Sequence, residues 1–441
     1  MSDTLFPMPE GTSPTKEKAH SGGGTPRLER ANRTQVQLQP LRLDELVPPE
    51  HKVRAVWRFV ESLPLKPLYD KIQAVEGVAG RPAIDPKILV ALWLYATLEG
   101  VGSARELAEL TQEHQAYLWL CGGVTVNHHT LSDFRMGHKE WLDEMLTHSV
   151  AVLVHAGVAD LSRVAEDGLR VRANAGASSF RRRETLEGCL AEAREHVAAL
   201  KGELEAHPEA GRRRAAKARE RGVREREERI GKALQELEAV EAAKKKDEKA
   251  KARVSTTDPE ARVMKMADGG FRPAYNFQLA ATTEGQAVVG VTVTNAGSDM
   301  GQMQPMVAQV KERHQTTPKE WLADGNHAKK EDIEQVAAGG TTVYTPLQKA
   351  KKAGEDIHQP KPGDAPAVAE WRQRMGTAEA KEIYKERAAT IECVNAQARN
   401  RGLQQLTVRG LGKALMVGLW YALAQNAMRI IALGVLACAG P

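Results

Sequence analysis

The chain has 441 residues, of which 42% are hydrophobic and 27% are charged, and its formal net charge is +5. This length exceeds one ordinary domain and the apolar content allows packed cores, so we expect two or three structural units. The mildly basic balance permits a polyanionic partner without requiring one. The four cysteines show no CxxC spacing, so neither a disulfide framework nor a zinc knuckle is indicated.

The sequence shows no pattern typical of export or of a membrane span. The N-terminus lacks the apolar core of a secretory signal. Polar side chains interrupt the apolar stretch 411–439, which favours a buried helix over a membrane span. These side chains are Lys413, Gln425, Asn426 and Arg429. We therefore expect a soluble, intracellular protein.

The first third of the chain divides into a tail and a helical region. Residues 1–40 are rich in Gly, Pro, Ser and charge, which predicts a disordered tail. Residues 41–158 show helical spacing, with helix starts predicted at Asp85, at Ser103 and near Asn127. Short helices separated by turns fit a helix-turn-helix-like DNA-binding module. A generic helical bundle without DNA contacts fits the same periodicity.

The pattern changes to that of a strand near Ser162. Residues 163–168 predict a short strand that ends in a turn at Asp167-Gly168, and residues 170–175 follow it. Alternation places Asp167 on one face of this strand and Glu166 on the other, so only one of the two acids faces inward. Turn chemistry alone would also explain Asp167.

Residues 181–252 form a charged block of low complexity. Leucines at heptad-like spacing before and after a break at residues 207–211 predict a helical hairpin resembling a coiled coil. The block contains 20 Lys+Arg and 16 Asp+Glu, a balance of +4. Residues 212–214 and 244–246 are basic runs that could contact phosphates, although a solvated face is the commoner explanation.

Strand and helix patterns alternate in the remaining sequence. Strands are predicted at 275–280, 287–294, 321–325 and 341–345, and helices at 300–314 and 330–338. The strand at 321–325 ends at Asp324-Gly325. Residues 349–370 are predicted to form a polar loop. The whole pattern predicts an α+β protein, with an N-terminal all-helical domain and then a mixed-sheet domain interrupted by the helical insertion.

Residues 384–399 contain no Pro or Gly and predict one helix of about four turns. On this helix Glu392 and Arg399 share a face, with Asn395 between them. An isolated pair of this kind is most often a surface ion pair. The strand-end acids Asp167 and Asp324 suggest instead that Glu392 is a third carboxylate, and three convergent carboxylates require a cation. Oxygen ligands suit Mg²⁺ or Mn²⁺, and two such ions are typical of phosphodiester chemistry.

Several sequence blocks, in this order, resemble those of bacterial insertion-sequence transposases of the DDE type. Four blocks carry the resemblance in the first three quarters of the chain: residues 81–107 with 132–135, 167–175, 269–278 and 323–325. Tyr384, Arg387, Glu392 and Arg399 are similar to the Tyr-Arg-Glu-Lys helix of that family. The resemblance covers roughly residues 40–435.

The resemblance implies a ribonuclease-H-like catalytic domain formed by residues 159–180 and 253–435, with the hairpin inserted between them. It implies that Asp167, Asp324 and Glu392 are catalytic and bind two Mg²⁺ or Mn²⁺ ions. It also implies DNA contacts by five residues: Tyr384, Arg387, Arg399, Arg135 and Arg105. The expected partners are the double-stranded DNA of the transposon ends and of the target, with a homodimer assembled on DNA in the bacterial cytoplasm and nucleoid.

Three positions depart from the family pattern. Asn326-His327 stands where an aromatic residue is usual, Arg399 replaces the commoner Lys, and residues 393–396 lack the usual Pro or Phe. An active transposase would bind terminal inverted repeats, cut 3′ ends and join them to target DNA. Two alternatives remain: a catalytically inactive DNA-binding remnant that regulates transposition, and a two-metal nuclease without strand transfer.

Overall fold

The computed structural model describes residues 42–75, 77, 82–206, 214–350 and 356–435. Several predictions fall outside these residues. They concern the tail 1–40, Arg81 of the first family block, the break at 207–211, the basic residues 212–213, and residues 436–439 of the last apolar stretch.

The N-terminal region is helical, and local capping explains where its helices begin. Its helices are α1 (Lys52–Glu61), α2 (Lys66–Tyr69), α3 (Pro86–Leu98), α4 (Ala104–Glu113), α5 (Gln115–Cys121), α6 (His128–Gly137) and α7 (Lys139–His155). The side chains of Asp85, Ser103 and Asn127 each accept a hydrogen bond from the backbone N–H of a residue in the first turn. The three predicted helix starts are therefore confirmed.

A mixed sheet forms the second half of the fold. Within the described residues the strands are β1 (Arg163–Arg172), β2 (Phe180–Arg181), β3 (Val254–Ser255), β4 (Arg262–Lys265), β5 (Phe271–Thr282), β6 (Val288–Thr294), β7 (Glu320–Leu322) and β8 (Thr342–Tyr344). The main sheet has the order β4-β5-β1-β7-β8, with β6 also paired to β5. β5 is antiparallel to β1, whereas β7 and β8 run parallel to it. β1 is thus a central strand with neighbours on both edges.

The predicted turn at Asp167-Gly168 is wrong. β1 continues through both residues to Arg172 and remains paired with β5 over this whole length. Gly168 instead allows a close approach, because a Cβ atom there would lie 2.3 Å from Oδ1 of Asp299.

The charged block forms two long helices, α8 (Arg183–Ala206) and α9 (Arg214–Ala242). They lie antiparallel, since Arg183 pairs with Glu241 near one end and Glu203 pairs with Arg219 near the other. β2 and β3 pair at the base of these helices. A small apolar cluster, separate from the main core, includes Leu186 and Leu237.

The remaining helices are α10 (Met303–His314), α11 (Lys330–Ala338), α12 (Pro366–Gly376), α13 (Ala378–Arg387), α14 (Cys393–Asn400) and α15 (Leu411–Ala432). The prediction missed α12, whose first turn lies in the supposed polar loop. The prediction of one uniform helix at 384–399 is also wrong, because a π-helical segment, Ala388–Glu392, separates α13 from α14.

α15 is a buried helix that connects the N-terminal helices to the sheet. Its Trp420 donates a hydrogen bond to the carbonyl of Arg135 in α6. The Asn426 amide donates to the Ser149 hydroxyl in α7 and to the Val288 carbonyl in β6. The two regions therefore share one core. In the described part of the chain, the structure contains no helix long and apolar enough to span a membrane.

Candidate active site

The π-helical segment lies against the sheet and ends at Glu392. Glu386, just before the segment, pairs with Arg163 at the start of β1 at 2.5 Å. The Gln286 side chain, in the turn between β5 and β6, donates to the Ala389 carbonyl at 2.8 Å. The Thr390 hydroxyl donates to the Glu386 carbonyl. The last two bonds end on backbone carbonyls of the helical segment, and π segments of this kind are frequent at functional sites.

Arg387 joins two of the predicted site acids. Its guanidinium Nη2 lies 3.0 Å from Oδ1 of Asp167, and Nη1 lies 2.8 Å from Oε1 of Glu392. The Arg387 side chain is only 9% exposed, whereas that of Glu392 is 56% exposed. The buried guanidinium of Arg387 therefore lies between the exposed carboxylate of Glu392 and the partly buried carboxylate of Asp167.

Asp167 is held from two directions. The Asn395 amide donates to Oδ2 of Asp167 at 3.0 Å, while Arg387 contacts the other oxygen. Burial raises the pKa of Asp167, Arg387 opposes the rise, and the nearby charge of Asp324 adds to it. The folded protein therefore stabilises the charged form of Asp167 less than water does.

Asp324 follows β7 at the same level of the sheet as Asp167. The last aligned pair of these parallel strands is Ala165 with Leu322, and two residues further along each strand are Asp167 and Asp324. Oδ1 of Asp324 accepts a hydrogen bond from the His327 ring at 2.8 Å and another from the Asn326 backbone. Burial would raise the pKa of Asp324, but the bond and the charge of His327 lower it.

His327 connects Asp324 to a set of buried polar groups on the other face of β1, which we call the buried network (Glu166, Gln278, Asp299 and His327). Its Nε2 lies 3.1 Å from Oε1 of Gln278, and the Gln278 amide donates to Asp299 at 2.8 Å. Both ring nitrogens face acceptors, which favours the doubly protonated form of His327. Burial would lower the pKa of His327, but Asp324 and Glu166 raise it to about 9.

Glu166 and Asp299 complete the buried network. Glu166 is fully buried, accepts a hydrogen bond from Trp321 at 2.9 Å, and has its pKa raised to about 7 by burial. Asp299 accepts from both Asn276 and Gln278 through one oxygen. Of the neighbouring acids Glu166 and Asp167, the one facing fully inward is therefore Glu166.

The structure thus brings Asp167, Glu392, Arg387 and Asp324 into one neighbourhood. Tyr384 belongs to it as well, because burial raises the Tyr384 pKa and the charges of Arg387 and the three acids also act on it. Arg399 is exposed and lines a different depression, and Glu392 pairs with Arg387 rather than with Arg399.

The two N-terminal arginines differ in exposure. Arg135 is 6% exposed, donates to the Gly102 carbonyl at 2.7 Å and lies over the ring of Trp93. Arg105 is exposed beside it, and both line a cavity of about 370 Å³. The packing of Arg135 accounts for its burial, and DNA contacts by either residue stay predictions.

The donor chemistry of the site fits a hard divalent cation. Asp167, Asp324 and Glu392 present carboxylate oxygens, and the guanidinium of Arg387 marks a position that attracts positive charge. Among the described residues, however, no group of three Asp, Glu, His or Cys side chains is assembled closely enough to hold a metal ion. In this arrangement the guanidinium neutralises two of the acids.

Sequence reasoning missed Asp299, Gln278 and the structural role of His327. Asp299 lies in the loop before α10 and has no local pattern that marks it. Gly168 was an available signal, since glycine inside a strand often marks a close approach by another group. His327 appeared only as a departure from the family pattern.

Two family comparisons match this chain, one near each end. The Transposase domain (DUF772) matches residues 41–136, and the Transposase DDE domain matches residues 349–431. The second match contains Tyr384, Arg387, Glu392 and Arg399, whereas Asp167 and Asp324 lie outside both. No curated protein and no solved structure matches the chain. The two matched regions are similar to transposase domains, and they support the interpretation of the chain as an insertion-sequence transposase of the DDE type.

Proposed function

We propose that this transposase binds the terminal inverted repeats of its element and catalyses metal-dependent DNA strand cleavage and strand transfer. The observation that carries the proposal is that Arg387 contacts both Asp167 and Glu392, while Asp324 lies near enough for its charge to act on the same guanidinium. Burial would lower the pKa of Arg387, but Asp167, Tyr384 and the other two acids raise it, so the arginine keeps its charge.

The sheet supports a ribonuclease-H-like assignment for the catalytic domain. A central β1 has the antiparallel hairpin β5–β6 on one edge and the parallel strands β7 and β8 on the other. Helix α11 connects β7 to β8, and Asp167 within β1 lies at the same level as Asp324, which follows β7. This arrangement places carboxylates from neighbouring strands side by side, as phosphodiester chemistry requires.

Asp167, Asp324 and Glu392 would hold one or two Mg²⁺ or Mn²⁺ ions. When bound, such ions activate the attacking oxygen and stabilise the leaving oxygen of a phosphodiester. The protein's own contribution is orientation: His327 fixes Asp324, and Asn395 fixes Asp167. Arg387 is placed to pair with a DNA phosphate once it leaves the acids.

The partner would be double-stranded DNA, at the transposon ends and at the target. We assign the N-terminal helices, with Arg105 and Arg135, to recognition of the ends, and Tyr384, Arg387 and Arg399 to contacts near the cut. A homodimer would bridge the two ends, within the bacterial cytoplasm and nucleoid. The boundaries that we propose are 1–40 for the tail, 41–158 for the helical DNA-binding domain, 181–252 for the insertion, and 159–180 with 253–435 for the catalytic domain.

The test uses plasmid DNA carrying the gene with its native flanking sequence. We expect Mg²⁺-dependent cleavage at matched inverted repeats by the wild type, and loss of cleavage with retained DNA binding in Asp167→Asn, Asp324→Asn and Glu392→Gln. Glu382→Gln is the matched control, since Glu382 is an exposed glutamate on α13 that pairs with Lys385. Cleavage that survives in Glu392→Gln would refute the assignment.

The same assay separates the alternatives. These alternatives are a catalytically inactive DNA-binding remnant that regulates transposition and a two-metal nuclease without strand transfer. Binding without cleavage by the wild type at any Mg²⁺ or Mn²⁺ concentration would identify that remnant. Cleavage without joined products would identify the nuclease.

A further inference from the structure

A surface depression lined by arginines lies at the C-terminal end of β1. Its volume is about 290 Å³. Four arginines line it: Arg170, Arg172, Arg272 and Arg399. Asp268 is the single acid in the lining, so the charged side chains there sum to +3. We call this depression the arginine groove.

Two arginines of the groove are fixed by carboxylates. Arg272 donates to both oxygens of Asp268, at 2.8 and 2.6 Å. Arg170 donates to the Gly297 carbonyl at 3.0 Å and lies 3.4 Å from the buried Asp299. These contacts preorganise two guanidinium groups in fixed positions.

The other two arginines have unsatisfied charge. Arg172 and Arg399 are exposed, and neither forms an ion pair with an acid in the part of the chain that the structure describes. Two fixed and two uncompensated guanidinium groups around one concave surface create a strong local attraction for anions. Arginine is the side chain best suited to phosphate, since its planar donors match phosphate oxygens.

The floor of the groove is specifically built. Gly168 lines it, and the missing side chain there gives Asp299 room to approach β1. Asp299 in turn accepts hydrogen bonds from Asn276 and Gln278. Burying the Asp299 carboxylate costs desolvation free energy, which its three polar partners offset. Its contact with Arg170 holds that side chain at the groove.

The groove is linked to the acids through the chain, and its β1 residues lie on the face of Glu166 while Asp167 lies on the other. Gly168 follows Asp167 directly, and Arg399 lies seven residues beyond Glu392 along the same helical segment. Seven helical residues span about 10 Å, which equals the rise of about three nucleotides in a DNA strand.

We propose that the arginine groove binds backbone phosphates of the DNA strand about three nucleotides from the scissile bond. Arg172 and Arg399 provide the contacts that form on binding, while Arg170 and Arg272 are prepositioned for them. The inference rests on the proposed function and adds a second contact site on the same strand. Backbone contacts of this kind are independent of sequence, so they fix the position of the strand rather than select it.

The first test measures binding of a 30-bp DNA duplex of arbitrary sequence by fluorescence anisotropy at several KCl concentrations. Each lost phosphate contact lowers the salt slope of log K by about 0.9 and weakens binding by about tenfold at 100 mM. We therefore expect a slope lower by about 1.8 in the double variant Arg172→Ala with Arg399→Ala. Both side chains are exposed, and thermal unfolding will confirm that the variant is folded.

Arg253→Ala is the matched control, because Arg253 is also exposed but does not line the groove. An unchanged slope in the double variant, or an equal loss in the control, would overturn the groove while leaving the proposed function intact. Wild-type protein that fails to bind DNA would overturn both. Tighter binding of a 30-bp RNA duplex than of DNA, or binding of inorganic phosphate alone, would overturn the choice of DNA.

The second test concerns position. On DNA whose cut site has been mapped with the wild type, neutral methylphosphonate linkages are placed two to four nucleotides from the cut. We expect these linkages to weaken wild-type binding and to remove the further effect of the double variant. Additive effects of linkage and variant would show that the groove binds elsewhere on the DNA.

Discussion

The two faces of β1 carry acids in opposite situations. On one face Asp167 and Glu392 share the guanidinium of Arg387, and Glu392 is largely open to solvent. On the other face the buried network holds Glu166 and Asp299 away from solvent, each hydrogen-bonded to neighbouring side chains. Glu166 and Asp167 are adjacent in β1, yet Asp167 belongs to the exposed site and Glu166 to the buried network.

The difference separates residues that do chemistry from residues that hold them. The open face keeps its acids paired with a side chain that can be displaced, and the pKa of Asp167 is raised there. On the closed face, buried hydrogen bonds hold the side chains in fixed positions. His327 links this network to Asp324, because its ring contacts both Gln278 and Asp324. Substitutions on the closed face should therefore reduce stability, and those on the open face should change function with little loss of stability.

The largest expected contrast compares Asp299→Asn with Asp167→Asn. The amide oxygen at position 299 can still accept from Asn276 and Gln278, but a neutral amide cannot pair with the charge of Arg170, so we expect the unfolding free energy to fall by about 3 kcal/mol. Asp167→Asn removes a carboxylate whose pKa is raised by burial, so we expect no loss or a small gain. Urea unfolding of both variants measures the difference.

The sign of the second expectation follows from linkage. A carboxyl with a raised pKa is bound to its proton more tightly in the folded state, so its charged form opposes folding at neutral pH. A neutral Asn removes that cost, while the Asn395 amide and the Arg387 guanidinium each have to adjust to one changed partner. Equal destabilisation by the two variants would erase the distinction between the faces.

A second contrast concerns the glycine that brings the two faces together. In Gly168→Ala the added Cβ would lie 2.3 Å from Asp299 Oδ1, so the network must shift, and we expect a loss of about 2 kcal/mol. Gly231→Ala is the control, because Gly231 lies inside α9 with open space around its Cβ position. There alanine should stabilise by up to about 1 kcal/mol. A neutral Gly168→Ala would mean that Asp299 moves freely.

A third contrast tests whether a divalent cation can replace the Arg387 guanidinium at Asp167 and Glu392. The Arg387 guanidinium and a divalent cation compete for Asp167 and Glu392, so we expect Arg387→Gln to bind Mn²⁺ about tenfold more tightly without DNA. Isothermal calorimetry or Mn²⁺ resonance measures the affinity. Lys385→Gln is the control on the same helix, since Lys385 pairs with the exposed Glu382. Unchanged or weaker binding in Arg387→Gln would show that the arginine does not compete.

Local signals made part of this fold predictable. The helix starts at Asp85, Ser103 and Asn127 depend on a side chain and a backbone N–H within three residues, and the sequence displays both. The hairpin of β5 and β6 follows from alternation around a turn at Gly285. The position of Asp324 after a short strand was readable for the same reason.

The parts that were not predictable depend on distant partners. Asp167-Gly168 has the composition of a turn, yet pairing with β5 and the approach of Asp299 keep it inside a strand. The partner of Glu392 is Arg387 rather than Arg399, because the π segment changes the helical phase between residues 388 and 392. The periodicity of residues 384–399 cannot predict the hydrogen bond between Gln286 and the Ala389 carbonyl, because Gln286 is distant in the sequence.

The smallest predicted effect tests that contact and with it the adaptability of the open face. In Gln286→Asn the shorter side chain cannot reach the Ala389 carbonyl, so we expect a loss of about 1 kcal/mol and faster hydrogen exchange in residues 388–392. Gln315→Asn is a matched control, since both glutamines have positive φ and donate to a carbonyl, and Gln315 donates to Glu312. Equal exchange in the two variants would show that the segment is set by its own residues. Faster exchange only in Gln286→Asn would show that this hydrogen bond, together with the Arg163–Glu386 ion pair, holds the segment that ends at Glu392 against the sheet.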